Sequence, residues 1–248
     1  LSFEGAAVAA PSVSQGLSRD VGADSDDNSA DLVPATPTPG AANAVVSRYD
    51  IDEIQGEGDA TPLEGEDVLT RGVVTATYPG GGLDGFYVQT PGSGAEIDDA
   101  SDGVFVYAPD QVGSVDLGDL VDVTGVAEER FGNTQVAADT VAQVAGPHDE
   151  VVPAEVAWPA TEAERESLEG MLLAPQGAYT VTNNYNAGNS LFGEIGLASG
   201  QIPLLQPTDV ALPDTPAYDA VVADNEARAV ILDDGSSVNF LAPGNRNR

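Results

Sequence analysis

The residue types that enzymes use most for proton and group transfer are scarce in this chain. It contains one histidine, His148, and neither cysteine nor lysine. A Ser-His-Asp triad would have to use His148 as its general base, but the proline and acidic residues around it predict an exposed loop. Thiolate metal sites, cysteine nucleophiles, Schiff-base lysines and P-loop chemistry are excluded. Carboxylates are plentiful enough for an acid pair of the glycosidase kind. Most of them lie in turns beside glycine, where burial that raises a pKa is not expected, so we predict a non-catalytic chain.

Two acidic segments carry oxygen-bearing side chains at short spacings. The first group is Asp24, Asp26, Asn28 and Asp31. The second group, in the sequence EIDDASDG, is Glu96, Asp98, Asp99 and Asp102. Calcium takes about six to eight oxygen ligands, so calcium or magnesium is the cofactor that these segments would suit. The first segment is not a complete EF-hand loop, which needs a glycine at its sixth position and a glutamate at its twelfth. For this segment a solvated acidic turn is the favoured interpretation, and calcium binding is the alternative.

The charge balance restricts the partners of the chain. Forty-one acidic residues stand against eight basic ones, all of them arginine, and the formal net charge at pH 7 is -33. Such a surface repels phosphate backbones and anionic lipids. No apolar run reaches the roughly 18 residues that a membrane helix needs. We therefore expect no membrane insertion, and only weak binding of nucleic acid, which divalent cations could assist.

Residues 44–146 alternate apolar and polar side chains with the period of two that is typical of β-strands. The clearest segments are VLTRGVVTATY (68–78), GFYVQT (85–90), DGVFVYAP (102–109) and the two-stranded ribbon at 112–136. In this ribbon Val121 and Val123 face the core, and Gly125 allows the sharp bend that a small barrel needs at its corner. The block therefore predicts a small closed β-barrel.

The third block, residues 147–248, combines strands with two short predicted helices. Thr161 and Glu164 form a capping box at the start of the first helix. Thr215 caps the second helix, which has Pro216 at its first position.

A weak internal repeat relates residues 63–90 to residues 168–197. Both segments contain Leu-Glu-Gly, a strand, a glycine, another strand, a loose Gly/Asn loop and then phenylalanine beside glycine. Chance convergence on hairpin sequences is the alternative, but the repeat favours two related β-barrel units.

An ordered string of motifs across residues 44–240 resembles the region that precedes the catalytic domain in large bacterial extracellular nucleases. The motifs are DIDEIQGEGDATPLEGEDVLTRGVVTA, GFYVQT, ASDGVFVYAP, VDLGDLVDVTGVAEERFGNTQV, ESLEGMLL, LLQPTDVALP and ILDDGS. In that family an OB-fold domain occupies this region. The first block, which ends with DSDDNSADLVPATPTPGAAN, is similar to the last third of a lamin-tail domain, an immunoglobulin-like module.

The patterns and the resemblance together predict an all-β fold with two OB-like barrels, short helices and a partial immunoglobulin-like sandwich. The expected domains are 1–43 for the end of a lamin-tail-like domain, 44–146 for an OB-fold domain, and 147–248 for a second OB-like β domain. We expect this chain to be cut from a longer extracellular or cell-surface precursor, in which a nuclease domain follows.

The resemblance does not make this chain a nuclease. In the family the chemistry belongs to an endonuclease/exonuclease/phosphatase domain similar to DNase I, which requires His-Asp pairs, a metal-binding glutamate and catalytic asparagines. The sequence ends at NFLAPGNRNR without such a domain, and its single histidine could not supply the pairs. No catalytic residue can be carried over, so metal-dependent endonuclease activity is implied for the parent protein only.

OB barrels bind single strands through aromatic stacking beside a basic groove. The candidate contacts in this sequence are Tyr87, Gln89, Tyr107, Arg130, Phe131 and Asn133. For each aromatic residue a packing role is the favoured interpretation, in which Phe131 closes the barrel end and Tyr107 contacts a neighbouring block, and stacking on a base is the alternative.

Two functions follow from these observations and stay open. The first is a non-catalytic accessory region that binds single-stranded DNA weakly, or that spaces the downstream nuclease domain of the same precursor. The second is an acidic extracellular structural or assembly module, which calcium could stiffen and which could self-associate.

Overall fold

The computed structural model describes residues 5–6, 8, 11, 16–19, 27–35, 46–183, 192–236, 238–239 and 242. Its strands are β1 (Gly16–Arg19), β2 (Leu32–Ala35), β3 (Ser47–Arg48), β4 (Asp67–Tyr78), β5 (Gly85–Gln89), β6 (Gly103–Tyr107), β7 (Leu120–Glu129), β8 (Thr134–Gln143), β9 (Tyr179–Asn183), β10 (Ile195–Ser199) and β11 (Ala229–Leu232). Its helices are α1 (Asn28–Asp31), α2 (Ile51–Gln55), α3 (Glu162–Glu166), α4 (Pro207–Val210) and α5 (Pro216–Arg228), with a 3₁₀ turn at Val112–Ser114. The prediction of an all-β fold with short helices is confirmed at this coarse level.

Five strands, β4 to β8, close into a barrel. Antiparallel pairs join β4 to β5, β5 to β6, β7 to β8 and β4 to β7, whereas β6 and β8 run parallel. The order around the barrel is therefore β4-β5-β6-β8-β7-β4. A closed five-stranded Greek-key order with parallel third and fifth strands is the connectivity of the OB fold. This barrel lies within residues 44–146, where the sequence predicts one.

The barrel interior is filled mainly by valine, a β-branched residue that packs well on a pleated sheet. The buried residues of this core are Ile51, Ile54, Val68, Val74, Phe86, Val88, Val104, Val106, Ala108, Val112, Val115, Val121, Val123, Ala127 and Val136. Ile51 and Ile54 come from α2, which precedes the barrel, and Val112 comes from the 3₁₀ turn between β6 and β7. Two short helical segments thus complete a core that the strands alone do not fill.

Strand β7 bends where the sequence predicts a corner. Its pairing with β8 contains a bulge between Thr124 and Gly125. A Cβ atom at Gly125 would overlap the carbonyl oxygen of Ala137, so the strands approach too closely there for any larger residue. Glycine inside a strand often marks such a close approach.

A charged network crosses the outer surface of the barrel. The Nε and Nη2 atoms of Arg71 on β4 lie 2.8 and 2.9 Å from the two carboxylate oxygens of Asp122 on β7. Arg48 on β3 lies 3.4 Å from the same carboxylate. The hydrogen bonds from Arg71 to Asp122 raise the pKa of the Arg71 guanidinium further above its ordinary value. The Asp122 side chain is only 6% exposed, so two arginines hold one nearly buried carboxylate and link three strands.

Residues 147–176 lie against the barrel before the next sheet begins. The amide of Val152 donates a 2.9 Å hydrogen bond to the carbonyl oxygen of Ser93. Ala154 is completely buried and forms a parallel bridge with Leu173. The first part of the third block is therefore packed on the five-stranded barrel.

The rest of the third block contains a three-stranded antiparallel sheet in the order β11-β10-β9. Both predicted helix starts are confirmed: Thr161 and Glu164 form the capping box, and the Thr215 hydroxyl accepts a hydrogen bond from the Tyr218 amide. No closed barrel occurs within the described residues of this block, so the second barrel stays a prediction.

The first block contains an antiparallel pair of strands, β1 and β2, with the short helix α1 just before β2. The lamin-tail sandwich stays a prediction, because most of residues 1–43 lie outside the described residues. Throughout the described part of the chain, no helix is both long enough and apolar enough to cross a membrane.

Candidate ligand-binding groove

A groove of about 740 Å³ lies on the barrel surface beside the turn between β7 and β8. Its lining residues are Gly82, Leu83, Tyr87, Phe105, Tyr107, Glu128, Arg130, Phe131, Asn133, Gln135 and Ala137. They belong to the second and third barrel strands, to the two loops that follow the first and fourth strands, and to the adjoining parts of the fourth and fifth strands. Oligonucleotides and oligosaccharides bind OB folds at this location. We call this surface the aromatic groove.

Three aromatic rings contact one another at one side of the groove, and two of them, Tyr87 and Phe105, line it. Tyr87 on β5 is directly opposite Phe105 on β6, and the centroids of their rings are 5.0 Å apart. Tyr78 meets Tyr87 edge to face at 6.2 Å. Burial raises the pKa of Tyr87 to about 12, with smaller contributions from Tyr78 and Glu169. Tyr87 and Phe105 therefore form a fixed hydrophobic base, and Tyr107, which is 40% exposed, presents its ring to solvent.

The turn between β7 and β8 places a second aromatic ring in solvent. Arg130 and Asn133 exchange backbone hydrogen bonds of 2.9 and 3.2 Å, with φ of 58° at Phe131 and 75° at Gly132. Two consecutive positive φ angles in a two-residue hairpin are typical of a type I′ turn, which favours asparagine and glycine. Phenylalanine in this conformation costs about 1–2 kcal/mol. Phe131 is nevertheless 95% exposed, so no burial offsets that cost.

The exposed ring of Phe131 is paired with a cation. The guanidinium carbon of Arg130 lies 4.8 Å from the centroid of the Phe131 ring, within the range of a cation–π interaction. This contact limits the orientations of the ring and leaves the guanidinium N–H groups available at the groove. The turn thus presents an aromatic face and a positive charge side by side.

Negative charge surrounds this single cation. Glu128 lines the groove and accepts a hydrogen bond from the side-chain amide of Gln135. Nearby, Glu169 accepts a 3.0 Å hydrogen bond from the backbone amide of Thr134. Burial raises the pKa of Glu169 to about 7, although the hydrogen bond from Thr134 opposes this shift. The groove can therefore stack planar groups and offer hydrogen bonds, but it neutralises little phosphate charge.

The structure brings most of the predicted contact residues together. Five of the six line the aromatic groove: Tyr87, Tyr107, Arg130, Phe131 and Asn133. Gln89 lies elsewhere, because it is completely buried and bonds to Ser93 at 3.0 Å and to the amide of Leu172 at 2.8 Å. Its role is to hold residues 147–176 against the barrel, which a strand pattern cannot reveal because the partner is 83 residues away.

Phe105 lines the aromatic groove but is not among the contact residues predicted from the sequence. Its alternation with Val104 and Val106 places it on the outer face of β6, the face that also carries Tyr107. That alternation is the sequence signal from which the outward position of Phe105 could have been predicted. The registration of β5 with β6, which sets Phe105 opposite Tyr87, was not available from the sequence.

The predicted metal ligands do not form a recognisable centre in the described residues. Asp24 and Asp26 lie outside them, and Asn28 and Asp31 belong to the short helix α1. In the second group Glu96, Asp98 and Asp99 are exposed and Asp102 is half-buried. Within the described ranges no three His, Cys, Asp or Glu side chains are grouped closely enough to hold an ion.

Within the described ranges, the hydrogen-bond contact of the His148 ring is with a backbone oxygen and not with a carboxylate or a hydroxyl group. Its Nδ1 atom lies 3.1 Å from the backbone carbonyl oxygen of Asp149. The histidine is half-buried in the loop that follows the barrel, and it is not among the residues that line the aromatic groove.

Comparisons with known proteins find similarity between this chain and solved structures, but no similarity to a protein family or a curated protein. No family model and no curated protein match the sequence. A hypothetical protein, ygiW, from E. coli is 13% identical and has a TM-score of 0.27, with 41% of this chain and 91% of that chain covered. An OBody, AM1L10, bound to hen egg-white lysozyme is 16% identical and has a TM-score of 0.30, with 44% of this chain and 100% of that chain covered. These low scores carry no argument, so the description of the barrel depends on the strand order of this chain itself.

Proposed function

We propose that this chain is the non-catalytic accessory region of a secreted or cell-surface nuclease, and that its aromatic groove holds a short single-stranded segment of nucleic acid for a neighbouring catalytic domain. The observation that supports binding is the exposure of Tyr107 and Phe131 beside Arg130. An exposed phenylalanine in an unfavourable turn conformation is a cost to stability, which binding of a ligand would explain. The association with a nuclease is supported by the resemblance of the ordered motifs in residues 44–240 to the region before the catalytic domain of bacterial extracellular nucleases.

Stacking would supply most of the affinity at this site. A base that stacks on an aromatic ring contributes about 1–3 kcal/mol, and Tyr107 and Phe131 offer two such rings. Arg130 could contact one phosphate, and the side-chain amide of Asn133 could form a hydrogen bond with a base edge. Every base has an aromatic face, so we expect little sequence preference.

The charge of the chain sets an upper limit on the affinity. Arg130 is the one cationic residue among the described residues that line the groove, and Glu128 lies beside it. Contacts with phosphate supply most of the non-specific affinity of nucleic-acid-binding proteins. With a net charge of -33, we expect a dissociation constant no tighter than about 10⁻⁴–10⁻⁶ M, the range of non-specific binding.

Fluorescence anisotropy with a labelled oligothymidine at low ionic strength tests this proposal. Wild type should bind, Tyr107→Ala and Arg130→Ala should weaken binding, and Tyr107→Phe should bind as wild type does because it keeps the ring. Leu212→Ala is the control for loss of an exposed apolar side chain outside the groove. Addition of magnesium should strengthen binding by screening the acidic surface. If wild type binds a neutral oligosaccharide in this groove and no oligonucleotide, the nucleic-acid proposal is wrong.

A second candidate function is a rigid acidic spacer or assembly module, and the contacts between the barrel and residues 168–172 favour it. The Ser101 hydroxyl donates to the carbonyl oxygen of Glu169 at 2.6 Å, and Gln89 accepts a hydrogen bond from the Leu172 amide. Gly103 and Gly170 approach so closely that a Cβ atom on either would crowd the other's backbone. Such contacts would keep neighbouring domains at a fixed separation.

The spacer function would be served by further folded units on either side of the barrel. We propose that residues 147–248 are a second OB-like unit, that residues 1–43 end a lamin-tail-like sandwich, and that calcium stiffens the acidic segments. Thermal unfolding with and without calcium tests the last point. A spacer stiffened by calcium melts at a higher temperature with the ion, and an unchanged melting temperature contradicts the stiffening. Size-exclusion chromatography with light scattering, over a range of concentrations, tests self-association.

A further inference from the structure

A second groove lies on the other side of the loop between β4 and β5. It has a volume of about 370 Å³, and Gly82 and Leu83 line both this groove and the aromatic groove. Its other lining residues are Phe192, Glu194, Asp233, Gly235 and Ser236, all from the third block. We call it the Phe192 groove. The shared residues show that the two grooves are neighbours separated by one loop.

The separating loop is a low ridge. Gly80, Gly81 and Gly82 carry no side chains, and φ is 86° at Gly81 and 104° at Gly82. An added Cβ atom at Gly80 would have no heavy atom within 4 Å, so the space beside Gly80 is open. Leu83 is the apolar side chain of the ridge and is 37% exposed. A flexible linear ligand that crosses from one groove to the other therefore passes over the glycine backbone and the side chain of Leu83.

Contacts between the ridge and the third block fix the two grooves relative to each other. A Cβ atom at Gly235 would lie 2.5 Å from the Tyr78 ring and 3.1 Å from Leu83. One at Gly81 would lie 3.1 Å from the Cα atom of Ser236. The turn at residues 233–236 is therefore packed directly on the loop between β4 and β5, and both grooves belong to one continuous surface.

The chemistry of the Phe192 groove suits a base or a sugar more than a phosphate. Phe192 is half-buried and offers part of an aromatic ring. Glu194 and Asp233 are the charged residues of the lining, and both are hydrogen-bond acceptors that would repel a phosphate group. A strand that enters this groove must turn its backbone outward and its bases inward.

We propose that the bound single strand continues over the glycine ridge into the Phe192 groove, where Phe192 stacks on a further base. This inference rests on the proposed function, because it extends the same ligand beyond the aromatic groove. The preferred ligand is then an oligonucleotide that fills both grooves, and a short oligonucleotide occupies the aromatic groove alone. A single OB fold binds about 4–16 nucleotides, so an extended ligand is within the range of this fold.

The test compares a short and a long oligothymidine, of about three and about twelve nucleotides, by fluorescence anisotropy at low ionic strength. Wild type should bind the long probe more tightly. Phe192→Ala should weaken binding of the long probe by about fivefold or more, the factor expected for loss of about 1 kcal/mol of stacking. It should leave the short probe unchanged, whereas Tyr107→Ala should weaken both. Phe192→Tyr keeps a ring and should retain binding.

A charge variant supplies an independent result even if Phe192→Ala disturbs folding. Glu194→Gln removes one negative charge and should strengthen binding of the long probe at low ionic strength, with no effect on the short one. Circular dichroism melting confirms that each variant is folded. If wild type binds the long probe and neither Phe192→Ala nor Glu194→Gln changes that affinity, the extension is wrong and the proposed function stands. If wild type binds neither probe, both are wrong.

Discussion

The carboxylate of Glu169 accepts a 3.0 Å hydrogen bond from the backbone amide of Thr134, the first residue of β8. This bond joins the third block to the strand that follows the Phe131 turn. Burial is the main reason why the pKa of Glu169 rises to about 7, and the neighbouring carboxylates of Glu166 and Glu129 raise it further. The contact is therefore sensitive to pH near neutrality.

Glu169 should make the protein less stable as the pH rises. An unfolded glutamate has a pKa of about 4.3, so between that value and about 7 the folded state holds a proton that the unfolded state has lost. Stability from this group is fully present below the unfolded pKa and is lost as the pH rises through about 7. Glu169→Gln keeps an acceptor for the Thr134 amide but cannot ionise. The excess of its melting temperature over that of wild type should grow from pH 5 to about pH 7 and then level off. A constant difference over this range would contradict the role of Glu169.

The conformation of Phe131 predicts a conflict between stability and binding. Phe131→Asn creates Asn-Gly, the preferred pair for a type I′ turn, and relieves a cost of about 1–2 kcal/mol. The variant should resist chemical denaturation better than wild type by about 1 kcal/mol. It should also bind oligothymidine more weakly, because one stacking ring is lost. Lower stability would show that the ring serves the fold, and unchanged binding would show that it does not stack on the ligand.

The network around Asp122 should contribute to the stability of the barrel. Asp122→Asn leaves Arg71 and Arg48 without their carboxylate, and loss of a nearly buried, charge-assisted partner costs about 1–3 kcal/mol. Asp139→Asn, at an exposed position on β8, is the matched control and should change stability little. Urea denaturation measures both. Equal stabilities for the two variants would mean that the Asp122 network contributes nothing measurable.

Variants at Gln89 and Tyr107 should distinguish a residue that stabilises the fold from one that binds the oligonucleotide. Gln89→Ala removes a completely buried side chain and leaves the Leu172 amide without its acceptor. The loss should cost about 1–3 kcal/mol and leave oligonucleotide affinity unchanged. Tyr107→Ala should do the reverse, with weaker binding and a melting temperature close to that of wild type. If Tyr107→Ala instead lowers the melting temperature and leaves binding unchanged, Tyr107 is a packing residue.

The barrel could be predicted from the sequence because its signals are local. Val121 and Val123 alternate with polar residues at the period of a strand, and Gly125 marks a close approach of two backbones. The aromatic groove was also largely predictable, because Tyr107 is an aromatic residue in a strand whose opposite face is already apolar. Phe131 and Arg130 adjoin a glycine at the tip of a hairpin, a position that is normally exposed.

What could not be predicted depends on contacts between distant segments. Gln89 has the pattern of an outward-facing polar residue, yet it is buried because Leu172 covers it. The apolar residues Ile51 and Ile54 are too few for a helical period, so the helix that completes the core gave no clear signal. Phe192 is near a predicted strand, but its place beside the β4–β5 loop depends on how the third block packs on the barrel.

Photo-crosslinking tests the central claim most directly. A single-stranded oligonucleotide that carries a photoreactive uracil is bound to the wild-type chain at low ionic strength and irradiated, and the crosslinked residues are identified by mass spectrometry. Our account predicts crosslinks at Tyr107 and Phe131, which a non-photoreactive oligonucleotide suppresses by competition. Crosslinks confined to residues outside the aromatic and Phe192 grooves, or none from a folded protein that binds the probe, would contradict it.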